Sequence, residues 1–522
     1  MRVDLSVLDL AVFFAYFVAL GALALRASRA QNKTRRDYFL GGDKLSWWMI
    51  GGSIVAANIS SHQFIGVMGV AYKRGFVAAT SEWGAVLIGF NALLWIFLPF
   101  YLRNGFYTMP EFLQRRYGPA TRSLFAGLIL LIYIFVEIGA VLYFGALALN
   151  ALLGIPTAWC IPVIAFVTAL YTIAGGLRAV VWTEMLQLVV LIGGGIALTV
   201  VVLQAGGGWS AFVATSDRWD ILLPADDPDF PWTMLIGGSL CISIFYCAAN
   251  QFIVQRVLAA KNEWHGRMGV VFAQYLKFFM PLIIVVPGMI GPQLFPNLKT
   301  PDLIFPTLVA NLLPSGLVGL VMAGLVAAVM SHVSGALNSS TTILTVDFFQ
   351  VWRPKTTEAE AVLFGRCAGG VLVVLGVIAA ELLTQHSDRP VFLYLLSAYG
   401  IVTPGMATMF LVGIFWKRAT QAGAITAGVL TIVLSAVIKL LHPTLPFYNR
   451  TGIVFWCCVA ACILVSLCTR PPQPDAIKDM IWNRASLRLP AAYQARSRGW
   501  RNPVIWWGCL MAVLLSLYVR FS

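Results

Sequence analysis

The sequence predicts an all-α protein that crosses a membrane many times, and three observations predict it. Apolar residues make up 59% of the 522 and charged residues only 11%, whereas a soluble domain carries about 25% charged residues. Apolar stretches long enough to cross ~30 Å of hydrocarbon as a helix recur along the whole chain. Basic residues crowd into alternate loops, the pattern that the positive-inside rule associates with membrane topology.

The elements follow in order. We count fourteen apolar segments, at roughly 7–25, 46–70, 81–101, 121–152, 158–175, 179–204, 231–255, 268–291, 312–348, 362–383, 391–415, 421–441, 452–469 and 502–520. The first is longer than the apolar part of a signal peptide, and its basic run follows it, so it is expected to be a retained helix. The nine cysteines all fall inside apolar segments with no metal-binding spacing, and read as small buried hydrophobes. Little sequence is left for a separate soluble domain.

The net charge of +14 is topological and not a nucleic-acid footprint. With fourteen spans, loops on one side hold 26 of the 36 basic residues, among them Arg35, Arg36, Arg115, Arg116, Arg353, Lys355, Arg484 and Arg488. That side is expected to be cytoplasmic, which puts both termini outside a plasma (cell) membrane. Loop 205–230 fits an outer face, with Asp217, Asp220, Asp226, Asp227 and Asp229 against the single Arg218.

Two spans are interrupted by polar runs. Segment 46–70 carries Asn58, Ser60, Ser61, His62 and Gln63 at its centre, and segment 231–255 carries Ser243, Tyr246, Asn250 and Gln251. Unpaired backbone in hydrocarbon costs several kcal/mol per group, so helices loosen only where they line a cavity. The two lie five helices apart, which points to a transporter built on inverted repeats with a midplane site. Glu82, Glu137, Glu184, Lys277, His332 and Glu381 fall within spans, where an ionisable group costs about 2.5–3.5 kcal/mol. For each, a structural ion pair or a group reaching the interface competes with a role in a solute or ion pathway.

These residues carry a resemblance. The chain resembles the sodium/solute symporter family, in its sodium–glucose cotransporter branch, through Ala56-Ala57-Asn58-Ile59-Ser60-Ser61-His62-Gln63-Phe64-Ile65-Gly66, Ser81-Glu82-Trp83 and Tyr107-Thr108-Met109-Pro110-Glu111-Phe112. Further along come Gly175-Gly176-Leu177-Arg178-Ala179-Val180-Val181-Trp182-Thr183-Glu184, then Asn250-Gln251, Leu276-Lys277 and Leu337-Asn338-Ser339. The resemblance implies a ten-helix core of two inverted five-helix repeats whose first and sixth core helices are broken. Region 46–420 would be that transport core, 1–45 an extra N-terminal helix with a basic cytoplasmic loop, and 421–522 accessory helices.

It implies function as well: secondary active transport by alternating access, cation-coupled, of a small polar solute such as a sugar or cyclitol. The sodium site would be formed by Ala56, Ile59, Ala328 and Ser331, oxygen donors suited to a hard cation. His332 stands where the family has a second hydroxyl and raises an alternative, a sodium-independent transporter that is proton-coupled or uncoupled. The solute positions would be Gln63, Glu82, Ser243 and Lys277, with aromatic cover from Tyr246 and Phe392. Ala85 and Leu396 stand where the branch has hydrogen-bonding groups, so one wall of the pocket is expected to be less polar. Glu137, where the branch is neutral, could be an ion site or proton acceptor, or pair with a neighbouring helix. Glu184 keeps a carboxylate near the cytoplasmic ion exit. A membrane enzyme lacks support, since neither H-E-x-x-H nor G-x-S-x-G occurs. A channel or a transporter-derived sensor stays open.

Overall fold

The computed structural model describes residues 5–28, 34–298, 300–386, 391–494 and 497–521, and all regular elements among them are helical. Eleven helices are long and apolar enough to span a membrane, or twelve if the bent pair Gly238–Ala249 and Gln251–Leu258 is one span. That count falls short of the fourteen expected. The difference lies partly in long continuous runs, because Thr157–Ala205 holds both of the predicted spans 158–175 and 179–204. At 1.5 Å per residue such a run is ~74 Å long, more than twice a hydrocarbon core. It turns at Gly176, whose φ of 60° and ψ of −163° are not helical. A side chain there would also meet the Tyr38 carbonyl oxygen at 2.5 Å, so this corner requires glycine.

The outer faces are apolar because lipid is their solvent. Trp159, Val163, Phe166 and Leu170 are all exposed along one face of their helix, at the i, i+4, i+7 and i+11 spacing of an apolar stripe. The same reason corrects the expectation for cysteine: Cys367, Cys457, Cys468 and Cys509 are exposed, and the other five are buried. Hydropathy alone cannot separate a lipid-facing position from a core one.

At the centre stands Leu317–Ile343, every residue of which from Val321 to Ile343 is buried. The N-terminal helix Val7–Ser28 docks on its start, where Asp9 Oδ1 accepts the backbone N–H groups of Gly316 (2.7 Å) and Gly319 (2.9 Å). A carboxylate at a helix N-terminus satisfies orphan donors and opposes the positive end of the dipole. In loop 205–230, Asp227 pairs with Arg74. Burial alone would raise the Asp227 carboxyl, but the N–H groups of Phe230 and Asp229 together with Arg74 outweigh it and hold the group below its usual range.

Candidate functional site

Both interrupted segments are broken helices, and the breaks share one geometry. The first runs Trp47–Asn58, leaves the helix at Ile59 (φ −84°, ψ 121°) and resumes at Gln63. The second runs to Ala249, leaves it at Asn250 (φ −79°, ψ 120°) and resumes at Gln251. At the first break the backbone partners change hands. The Ser60 N–H, which in a continuous helix would donate to Ala56, donates instead to Gln63 Oε1 at 2.7 Å. Gln63 Nε2 donates to the Asn58 carbonyl at 3.0 Å, and the Gln63 N–H to the Ser60 carbonyl rather than that of Ile59. Serine and amide side chains commonly compete with a helix ladder in this way.

The Ala56 carbonyl, released from its helix, accepts the Ser331 hydroxyl at 2.7 Å, and that hydroxyl also lies 3.0 Å from the Ala328 carbonyl. Three of the four oxygens expected to form a cation site therefore cluster between the first broken helix and Leu317–Ile343. His332, the residue after Ser331, has a partner on another helix. Its Nε2 lies 2.5 Å from Glu137 Oε2 and its ring packs on Phe252 at 4.9 Å.

A cavity of about 180 Å³ opens beside the break, smaller than the roughly 300–1,000 Å³ pockets that bury drug-sized ligands. Of the expected solute positions, Gln63, Glu82, Ser243, Tyr246 and Lys277 line it, and so does Ala85. The side chains of Phe392 and Leu396 lie outside the described residues. Glu82 and Lys277 form an ion pair at 2.5 Å, each side chain only 3% exposed. Four of the walls carry π-helical turns, at Gln63–Val67, Ala85–Phe90, Tyr133–Ala140 and Phe245–Ala249. Such turns break the α register and recur at functional sites; periodicity in the sequence does not announce them.

Sequence reasoning missed Tyr399, which lines the cavity and donates its hydroxyl to Glu137 Oε1. It also missed the partner of Glu184. That carboxylate is fully buried, accepts the Ser53 hydroxyl and pairs with Arg256, whose Nε donates to Ser53 Oγ at 2.8 Å. The cluster ties Trp47–Asn58, the Thr157–Ala205 run and Gln251–Leu258 together. Arg256 falls six residues after Asn250, and its meeting with Glu184, 72 residues away, is not legible from spacing. A larger cleft of about 1,010 Å³ lies among Arg35, Arg115, Arg122 and Glu358, but each of those arginines is already ion-paired.

With this geometry in hand, comparison with known proteins decides the family. The family model of the sodium:solute symporter family matches residues 38–431. The chain belongs to the sodium:solute symporter family. It is 33% identical to a sodium/glucose cotransporter of Vibrio parahaemolyticus over 483 residues, covering 85% of this chain and 88% of the relative. It is 32% identical to the human sodium/myo-inositol cotransporter over 557 residues, covering 93% and 77%. Among solved structures, a substrate-bound, outward-open Na+-coupled sialic acid symporter superposes with a TM-score of 0.81 at 24% identity, covering 90% of this chain and all of that one. That likeness establishes the fold, a symporter core with its first and sixth core helices broken. This family member is a secondary transporter and not an enzyme.

Proposed function

We propose that this symporter couples the downhill entry of sodium to the uptake of a neutral, polyhydroxylated small solute, a sugar or cyclitol, across the plasma membrane. Region 46–420 is the transport core, with 1–45 and 421–522 packed around it and both termini outside. The observation that carries this reading is the sharing of one helix break by two sites. Ala56 and Ser331 meet at its near end, and Gln63, on its far side, lines the cavity that holds Glu82 and Lys277.

The chemistry follows from those positions. For sodium to bind, the Ser331 hydroxyl turns its proton away from Ala56 and Ala328, so that its lone pair and the carbonyl oxygens of Ala56, Ala328 and Ile59 face the ion. The ion then clamps the first broken helix onto Leu317–Ile343 and fixes the break that orients Gln63. Glu82 offers acceptors and Lys277 donors to solute hydroxyls, and the solute replaces part of their mutual contact. Binding at one site thereby pre-organises the other, which is the linkage that coupling requires. Glu184 and Arg256, which are not among the cavity-lining residues, tie three core helices together.

His332 raises the alternative of a sodium-independent transporter; its pairing with Glu137 gives the imidazole a role other than ion coupling and supports the sodium reading. Relatives named as sodium cotransporters point the same way. The test is uptake of labelled glucose and myo-inositol into proteoliposomes with and without an inward sodium gradient, at fixed pH and membrane potential. Accumulation only with sodium is the expected result; equal uptake without sodium overturns the coupling, and flux without accumulation favours a channel or sensor.

A further inference from the structure

Glu137 sits on the π-helical stretch Tyr133–Ala140, His332 on Leu317–Ile343 and Tyr399 on Val391–Phe415, and all three line the solute cavity. The Glu137 carboxylate is held at both ends, Oε2 by His332 Nε2 at 2.5 Å and Oε1 by the Tyr399 hydroxyl. An ionised carboxylate has about four lone-pair positions, and these two bonds take one on each oxygen. Among the described residues no other group bonds to it, and the residue is only 2% exposed. Each oxygen therefore has one partner and keeps room for a second donor, and Glu137 lines the cavity where a solute hydroxyl can supply it.

We propose that Glu137 is a second carboxylate of the solute site, accepting two hydroxyls on adjacent carbons of the solute ring, with His332 and Tyr399 as positioning residues. The paired oxygens of a carboxylate suit paired donors, as they do the fork of an arginine. The solute class is thereby narrowed to a neutral ring with a vicinal diol, held between Glu82 with Lys277 and Glu137. This inference rests on the sugar-or-cyclitol reading above.

The experiment is equilibrium binding of glucose, myo-inositol and their monodeoxy analogues to the purified full-length protein at saturating sodium chloride. Glu137→Gln is expected to weaken the preferred parent by roughly 10- to 100-fold, the scale of losing hydrogen bonds to a charged group. That penalty should shrink to less than about threefold for the analogue lacking the hydroxyl Glu137 accepts, and Tyr399→Phe should show the same analogue pattern more weakly. A penalty equal for every analogue, or none, overturns the assignment and leaves Glu137 a structural partner of His332. If Glu137→Gln does not yield folded protein, Tyr399→Phe decides by the same criterion. Wild-type protein that binds neither parent overturns the sugar-or-cyclitol reading and this assignment with it, an outcome distinct from wild-type binding with a uniform penalty.

Discussion

Ser331→Ala removes a single oxygen from the cluster in which Ala56 and Ala328 offer their carbonyls at 2.7 and 3.0 Å from the hydroxyl. Without sodium, the loss is one hydroxyl proton shared between those two carbonyls, about 0.5–1.5 kcal/mol net, and the Ala56 carbonyl is left without its partner. With sodium, the loss is a donor to a charged group in a buried site, about 1.5–3 kcal/mol. The sodium affinity changes by the difference, about 0.5–2 kcal/mol when the sodium-free loss is about 1 kcal/mol, so at about 1.4 kcal/mol per tenfold the sodium concentration for half-maximal uptake should rise roughly 2- to 30-fold. The alanine keeps the helix and its packing, so solute affinity at saturating sodium should change much less. The assay is initial uptake into proteoliposomes across a sodium series, with pH, ionic strength and membrane potential held constant. An unchanged sodium dependence in a folded Ser331→Ala protein would refute the placement of the ion at this cluster.

Other consequences can be checked separately. Lys277→Met should abolish solute binding and also destabilise the protein, because breaking a buried pair costs about 3–5 kcal/mol. Combining it with Glu82→Gln should recover thermal stability but not uptake, and recovered uptake would mean the pair is only structural. Arg256→Met should destabilise in the same way by stranding Glu184, and a thermal-unfolding midpoint equal to wild type would contradict the buried cluster. Cysteines introduced into 217–230 and 470–494 should react with an impermeant thiol reagent from opposite sides of the membrane; labelling from one side would overturn the topology. Asp227 has a depressed folded-state pKa, so the N–H groups of Phe230 and Asp229, with Arg74 adding to them, stabilise the loop through this carboxylate above the ordinary carboxylate pKa of about 3.9. That contribution should stay constant between pH 8 and 5 and fade only as pH falls through the depressed value, and protease protection of the loop measured against pH reads it out.

Much of this architecture is legible in the amino-acid sequence alone. Composition and apolar runs determine that the chain lives in a membrane, and the charge bias of its loops proposes an orientation. The polar runs around Asn58 and Asn250 mark the helix breaks, because hydrocarbon tolerates such groups only beside a cavity. Gln63, Glu82 and Lys277 are identifiable as cavity residues, the last two by the cost of placing charge in a span. All of these are local properties, carried by residue type and neighbours along the chain. The tertiary structure alone decided the partners. Glu82 meets Lys277, and Glu137 meets His332, across 195 residues in each case, and Tyr399 closes on Glu137 from 262 residues away. Packing several helices side by side brings those groups within reach, and no spacing along one chain states which helix lies beside which. For that reason the sequence showed that His332 replaces a hydroxyl, but not that its imidazole pairs with Glu137.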